Sequence, residues 1–211
     1  MKNKVLCLFD LDGVLLDTSK LIAGSIDHAF KKHGLDIRYS PEMDGGRTMQ
    51  QFYQVYAPGH DQELLLKAQV DFQAENIYLL RAFPTVRETL QHLYAQHRKV
   101  GVVTNRIRNA KDFLRHCGLL DYIHLVVTPE MIQHPKPSPE GIQLALRHFG
   151  VEPAQAIMVG DMPADIHAGR QAGVHTVGVT TSERLSELEA SSPDQMIGTL
   201  SELMTLQFQK R

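Results

Sequence analysis

Val5-Leu6-Cys7-Leu8-Phe9-Asp10-Leu11-Asp12-Gly13 is the stretch that decides the architecture of this chain. Five apolar residues run without a break and stop at an aspartate. A continuous apolar run, unlike an alternating one, marks a strand covered on both faces, the usual state of strands in a parallel sheet. The same signature recurs at residues 100–103, 125–127, 156–159 and 176–179. Helical patterns lie between the later runs. Residues 86–96 place Val86, Leu90, Leu93 and Tyr94 on one stripe, and residues 107–116 and 142–149 behave alike, the last starting behind a run of prolines. Gly118 and Gly150 follow two of these helices, where a left-handed terminator sits. Strand and helix in alternation predict an α/β fold with a doubly wound parallel sheet.

One stretch breaks the alternation. Residues 18–82 contain helical patterns, at 21–33 and 64–80, and no convincing strand. Some 65 residues exceed what one crossover helix needs, so the segment is expected to be an all-helical subdomain inserted into the sheet domain. The expected organisation is a core of residues 1–17 and 83–211 with the inserted subdomain at residues 18–82. Residues 182–193, rich in Ser and Glu, are expected to form a helix and loop.

The totals narrow the function classes. The 211 residues are 43% hydrophobic and 22% charged, ordinary for a globular protein of one domain, or of one domain carrying an insertion. A formal net charge of -2 creates no field that attracts nucleic acid or an anionic membrane. The apolar runs are far shorter than the roughly 20 residues of a membrane span. The five-residue run after the basic start is also too short for a signal peptide, whose apolar region takes about 7–15 residues. Cys7 and Cys117 offer no disulfide framework and read as two buried thiols of a cytoplasmic protein. Eleven histidines form no zinc pattern. A monomer or homodimer is expected.

Ligands of open parallel sheets bind beyond the carboxyl ends of the strands, so the polar residues that follow each apolar run carry the chemistry. These are Asp10 and Asp12 after the first, Thr104 and Asn105 after the second, Lys136 beyond the third, and Asp161 with Asp165 after the fourth. If Asp10, Asp12, Asp161 and Asp165 converge ionised, they bring four negative charges against the one positive charge of Lys136. Two like charges about 4 Å apart repel by roughly 4 kcal/mol at an effective dielectric near 20. Such a cluster calls for a multivalent cation, and all-oxygen ligands in a small open site favour Mg2+. A carboxylate that attacks a phosphate needs its charge cancelled, which magnesium and Lys136 supply, while Thr104, Asn105 and nearby backbone N–H groups hold the phosphoryl oxygens. Asp10 is then the nucleophile, and Asp12 the general acid and later the base. Each motif alone has a bland reading: an Asp-Gly turn, a helix cap, a solvated loop lysine. Their joint order after predicted strands carries the signal.

Together these residues resemble the haloacid dehalogenase superfamily, and its phosphoglycolate phosphatase-like branch in particular. The matching motifs are Phe9-Asp10-Leu11-Asp12-Gly13, Thr104-Asn105, Lys136-Pro137-Ser138-Pro139 and Gly160-Asp161-Met162-Pro163-Ala164-Asp165. The resemblance implies a Rossmann-like core with a helical cap that closes over a small phosphorylated metabolite. Phosphoglycolate, a sugar phosphate, a nucleoside monophosphate or pyrophosphate would all suit it. It implies magnesium held by Asp10, by the backbone carbonyl of Asp12 and by Asp161, with Asp165 as a ligand or its neighbour. Arg47 is the candidate cap residue for the far end of the substrate. Val14 departs from the threonine usual in the phosphatase branch and is shared with sugar phosphomutases of the β-phosphoglucomutase type. Those relatives carry a histidine where this chain has Ile22, which ranks phosphatase above mutase. A receiver-like signalling module, the non-enzyme alternative, lacks both an inserted cap and a counterpart of Asp12.

Overall fold

In the computed structural model, which describes residues 5–43, 47–180 and 185–205, the apolar run after the N-terminus forms β1 (Leu6–Phe9) at the centre of a six-stranded sheet. The chain then makes a two-residue strand, β2 (Leu16–Asp17), and three helices, α1 (Ser19–Lys32), α2 (Met49–Tyr56) and α3 (Gln62–Glu75). It returns through a second two-residue strand, β3 (Arg81–Ala82). From there the alternation is regular: α4 (Val86–Ala95), β4 (Lys99–Val103), α5 (Ala110–His116), β5 (Leu125–Val127), α6 (Glu140–Phe149), β6 (Ala156–Gly160), α7 (Pro163–Gln171), β7 (His175–Val179), α8 (Leu185–Ala190) and β8 (Gln195–Ile197). The sheet order is β5-β4-β1-β6-β7-β8, with every pair parallel. The fold is the expected α/β Rossmann-like arrangement.

The continuous apolar runs are explained by coverage on both faces. Cys7 and Phe9 of β1 pack with α4 residues Val86, Leu90 and Leu93 and α5 residues Phe113 and Leu114. Leu6 and Leu8, pointing the other way, pack with α6 residues Ile142, Ala145 and Leu146, with Ala168 of α7 and with Ala172 just after it. Alternate residues of one strand therefore serve two cores, and each must be apolar.

Helices α1, α2 and α3 build a third apolar cluster of their own. Phe30, Phe52 and Tyr53 are fully buried in it, with Phe30 stacked on Phe52 at 6.1 Å and edge-on to Tyr53 at 5.7 Å between centroids. Asp61 caps α3 by accepting from Glu63 and Leu64, and Thr48 with Gln51 forms a capping box on α2. The segment meets the sheet domain through β2 and β3, antiparallel with Leu16 opposite Ala82 and Asp17 opposite Arg81.

Several expectations need correction. Residues 81–82 lie in the stretch where no strand was expected, and β8 was not expected at all: two-residue strands and a mixed-polarity edge strand leave no periodic trace. The helix expected over 107–116 begins only at Ala110, because Arg108 sits at φ 65° and Ile107 packs on the cluster of Phe30, Phe52 and Tyr53 instead. Tyr94 is 54% exposed, so it does not belong to the buried stripe of α4. Cys7 is buried as expected, whereas Cys117 is only half-buried, and both are free thiols. Gly118 and Gly150 do adopt left-handed φ values of 63° and 60°. Residues 182–184 of the expected helix and loop, and the two glycines before Arg47, lie outside the described residues.

Removing the ring that ties α1 to α2 should open a cavity in the helical cluster. Phe30→Ala is expected to destabilise the protein by about 3–5 kcal/mol, read as a fall in the urea midpoint. An unchanged midpoint would show that this cluster is not tightly packed.

Candidate active site

The parallel register brings the predicted polar residues to one end of the sheet. Phe9 of β1 stands opposite Val102 of β4 on one side and Val159 of β6 on the other, so the residues that follow these strands emerge side by side. Asp10 continues the pairing by donating its N–H to the Val159 carbonyl at 2.9 Å, and Thr104 does likewise to Val127 at 3.1 Å. The order of strands reverses across β1, with β4 and β5 on one side and β6 to β8 on the other, which is the switch point where α/β sheets open a crevice.

A buried lysine occupies the centre of the site. The Lys136 Nζ lies 2.8 Å from Asp10 Oδ1 and 2.6 Å from Asp165 Oδ1, and all three residues are at most 8% exposed. Burial alone works against the ammonium, but the Asp10 and Asp165 carboxylates outweigh it and hold its pKa above the usual lysine value. Asp10 is pushed up to about 7 by burial, with the Asp165 and Asp12 charges adding to the rise and Lys136 opposing it. Asp161 is raised well above the usual carboxylate range by burial first and then by Asp10 and Asp165. The backbone N–H of Leu11 donates to Asp10 Oδ1 at 2.7 Å and fixes that carboxylate further.

Carboxylate oxygens of Asp10, Asp161 and Asp165 all lie within 4.8 Å of one another. A set of hard oxygen donors this close suits a small divalent cation. The backbone nearby is shaped around the same carboxylates. Gly13 has φ 78°, and a Cβ there would stand 2.2 Å from Asp161 Oδ2; a Cβ on Gly160 would stand 2.1 Å from the Asp165 side chain. Both glycines therefore leave the room that the carboxylates fill. Asp165, in the first turn of α7, accepts from Lys136 through Oδ1 and from the Met162 N–H through Oδ2. Its two oxygens thus orient Lys136 and start the helix, where a negative charge suits the N-terminus.

The remaining candidates take more varied places. Thr104 is 2% exposed, and its hydroxyl accepts from the Arg106 N–H at 3.0 Å. Asn105 grips the Lys136 main chain from both ends of its amide, donating to the Lys136 carbonyl at 2.8 Å and accepting from the Lys136 N–H at 3.0 Å. Its side chain thereby holds the lysine loop. Arg47 is exposed, donates to the Met43 carbonyl at 3.4 Å and lines the same cavity as Asp10. That cavity has a volume of about 610 Å³ and lies between the strand ends and α1 and α3.

Sequence reasoning missed Arg106 and Gln73. Asp12 receives the Arg106 guanidinium through Nε and Nη2, the shortest contact being 2.6 Å. Gln73, buried in α3, accepts from Arg106 Nη1 at 3.1 Å and from Asn109 at 2.8 Å, and donates to Ser25 at 3.0 Å. A cation directly after Thr104-Asn105 was the available signal, but its partner is 94 residues away in the chain.

Comparison with known proteins agrees with this geometry. The sequence profile of a family described as haloacid dehalogenase-like hydrolase matches residues 7–179. The pyrophosphatase PpaX of Bacillus velezensis is 33% identical over 209 residues, covering 96% of each chain. That of Bacillus pumilus is 33% identical over 204 residues, covering 94% of each. Among solved structures, a predicted phosphoglycolate phosphatase from Haemophilus somnus superposes with a TM-score of 0.86 at 25% identity, covering 97% of this chain and 98% of the other.

Substitution of Gly13 tests how tightly the carboxylates are cradled. Gly13→Ala is expected to lose about 1–2 kcal/mol from its left-handed backbone alone, with a further loss from collision with Asp161, measured by urea denaturation. A variant as stable as the parent would mean that the loop relaxes without resistance.

Proposed function

The chain belongs to the haloacid dehalogenase-like hydrolases and is a phosphatase, and from that premise we propose that it is a magnesium-dependent enzyme acting through an aspartyl-phosphate on Asp10. The observation that carries this reading is the buried Asp10 carboxylate paired to Lys136 at the floor of the cavity, beside Asp161. In this reading residues 18–82 act as a cap over a core of residues 1–17 and 83–211, enclosing the reaction away from bulk water.

The reaction proceeds in two displacements. The Asp10 carboxylate attacks phosphorus while the bond to the leaving oxygen breaks, and Asp12 gives that oxygen a proton. Asp12 then takes a proton from water as the water attacks the phosphorus of the aspartyl-phosphate, which frees inorganic phosphate and restores Asp10. Lys136 neutralises phosphoryl charge throughout, and Thr104 with neighbouring N–H groups holds the equatorial oxygens. Magnesium, when bound by the carboxylates of Asp10 and Asp161 and the carbonyl of Asp12, adds charge cancellation for the approach of carboxylate to phosphate. Asp165 stands behind them and keeps Lys136 in place. Asn105 supports the same lysine from its main chain.

The substrate is a small phosphorylated metabolite. Inorganic pyrophosphate comes first, because relatives named as pyrophosphatases match nearly the whole chain. Phosphoglycolate comes second, favoured by the structural neighbour from Haemophilus somnus. Arg47 at the cavity wall is the proposed contact for the distal part of either.

Two experiments test this reading. Phosphate release from pyrophosphate and a panel of phosphate esters should require magnesium and vanish with EDTA and in Asp10→Asn, while Asp12→Asn should lose roughly 10²–10⁴-fold; turnover surviving in Asp10→Asn identifies another nucleophile. The second concerns pH. Folded-state pKa values of Asp10 and Asp161 lie above those of an unfolded aspartate, so without metal the fold retains protons here and loses stability as pH rises from about 4 through about 7. A cation has to displace those protons. The magnesium-dependent rise in Tm is therefore expected to be larger near pH 8 than near pH 5, and a rise that is equal at both counts against a metal site among these carboxylates.

A further inference from the structure

Among the described residues, Arg106 is the one buried cation of the cavity that the two displacements leave without a task. Its side chain is 8% exposed and lines the cavity. The Nε atom donates to Asp12 Oδ2 at 2.9 Å and to Oδ1 at 3.1 Å, and Nη2 donates to Oδ1 at 2.6 Å. On its other edge, Nη1 donates to Gln73 Oε1 at 3.1 Å and to Asn109 Oδ1 at 3.3 Å. The guanidinium plane lies over the Phe113 ring, 4.5 Å from its centroid. Phe113 below and three polar side chains around the rim hold the fork in one orientation, facing Asp12.

We propose that Arg106 is a specificity-determining residue that selects substrates whose leaving group is itself an anion, a phosphate or a carboxylate close to the departing oxygen. This rests on the reading of Asp12 as the acid for that oxygen. Whatever leaves must come against the Asp12 carboxylate, and Arg106 donates to both oxygens of that carboxylate. A neutral leaving group offers the guanidinium nothing in exchange. An anionic one would be repelled by Asp12 unless the fork turned to it, and a planar guanidinium fits phosphate and carboxylate oxygens as well as it fits Asp12. The exchange compensates the incoming charge and releases Asp12 from its clamp, so that Asp12 takes up a proton from solvent and turns to the bridging oxygen as its acid. Gln73 and Asn109 keep the guanidinium at hand while its anionic partner changes. A diphosphate and a phosphorylated hydroxy acid both present this chemistry.

The test compares kcat/KM for inorganic pyrophosphate, phosphoglycolate and ethyl phosphate in the parent, Arg106→Gln, Arg106→Lys and Asp10→Asn proteins. Ethyl phosphate has the size of phosphoglycolate with a neutral leaving group. In Arg106→Gln the preference for the anionic substrates over ethyl phosphate should fall by about 10²–10³-fold, the range for losing one preorganised charge contact. Arg106→Lys, which keeps the charge and loses the fork, should recover only part of that preference. All three substrates are measured on the same sample, so any unfolded fraction cancels from the ratios. Whichever anionic substrate loses more identifies the source of the anion. An equal loss on all three substrates overturns the proposal and leaves Arg106 a structural bridge. Activity persisting in Asp10→Asn overturns the parent reading instead, so the two failures are distinct.

Discussion

An ammonium lodged between two carboxylates below the surface governs how the rest of this site is built. Lys136 is 5% exposed, and stripping water from an unpaired charge at that depth is expensive enough to forbid it. Asp10 and Asp165 make it possible, yet they come from different strand ends and meet only because β1 and β6 run parallel in register. Adding Asp161 brings the carboxylates to three against one lysine, leaving two negative charges uncompensated, the charge of one divalent ion. Burial and this surplus explain why Asp10 and Asp161 are both poor at ionising in the metal-free fold. The local backbone follows from the same constraint: Gly13 and Gly160 carry no side chain because Asp161 and Asp165 occupy that volume.

What could be read from the sequence was what burial imposes uniformly. Strands β1, β4, β5, β6 and β7 are covered on both faces, so nearly all of their residues had to be apolar and the runs stood out, with Lys99 at the start of β4 and His175 and Thr176 in β7 as the polar exceptions. The polar residues just past those runs were visible because a polar group at a strand end breaks the run. Interactions between distant positions left no such mark. Arg106 next to Asn105 looks like any loop cation, and only the fold reveals that it faces Asp12. Asn105 stood out as a polar residue at a strand end, and only the fold reveals that its amide grips the Lys136 main chain. Strands β2, β3 and β8 were missed for a different reason: short or polar segments pair through backbone groups that every residue possesses.

Near the site, the helical segment and the sheet domain meet through polar groups. Gln73 joins Arg106 and Asn109, and Glu63 pairs with Arg108 at 2.6 Å on the exposed side. Apolar contact crosses the boundary as well: Leu21 of α1 belongs to the core on the α4 and α5 side of the sheet, Phe72 of α3 packs on that core, and Ile107 packs on the cluster of Phe30, Phe52 and Tyr53. Polar contacts of this kind can be exchanged for water or substrate at modest cost, unlike the apolar interior of either part.

The antiparallel pairing of Leu16–Asp17 with Arg81–Ala82 has a consequence for the way such chains diversify. Because the polypeptide leaves and re-enters the sheet domain at adjacent points, that domain sees the same short bridge whatever is strung between. Loop-closure entropy grows only with the logarithm of the intervening length. The junction is thus a natural grafting point, where a helical module of another size can be spliced in to reshape the chamber while the phosphoryl chemistry beneath it goes on undisturbed.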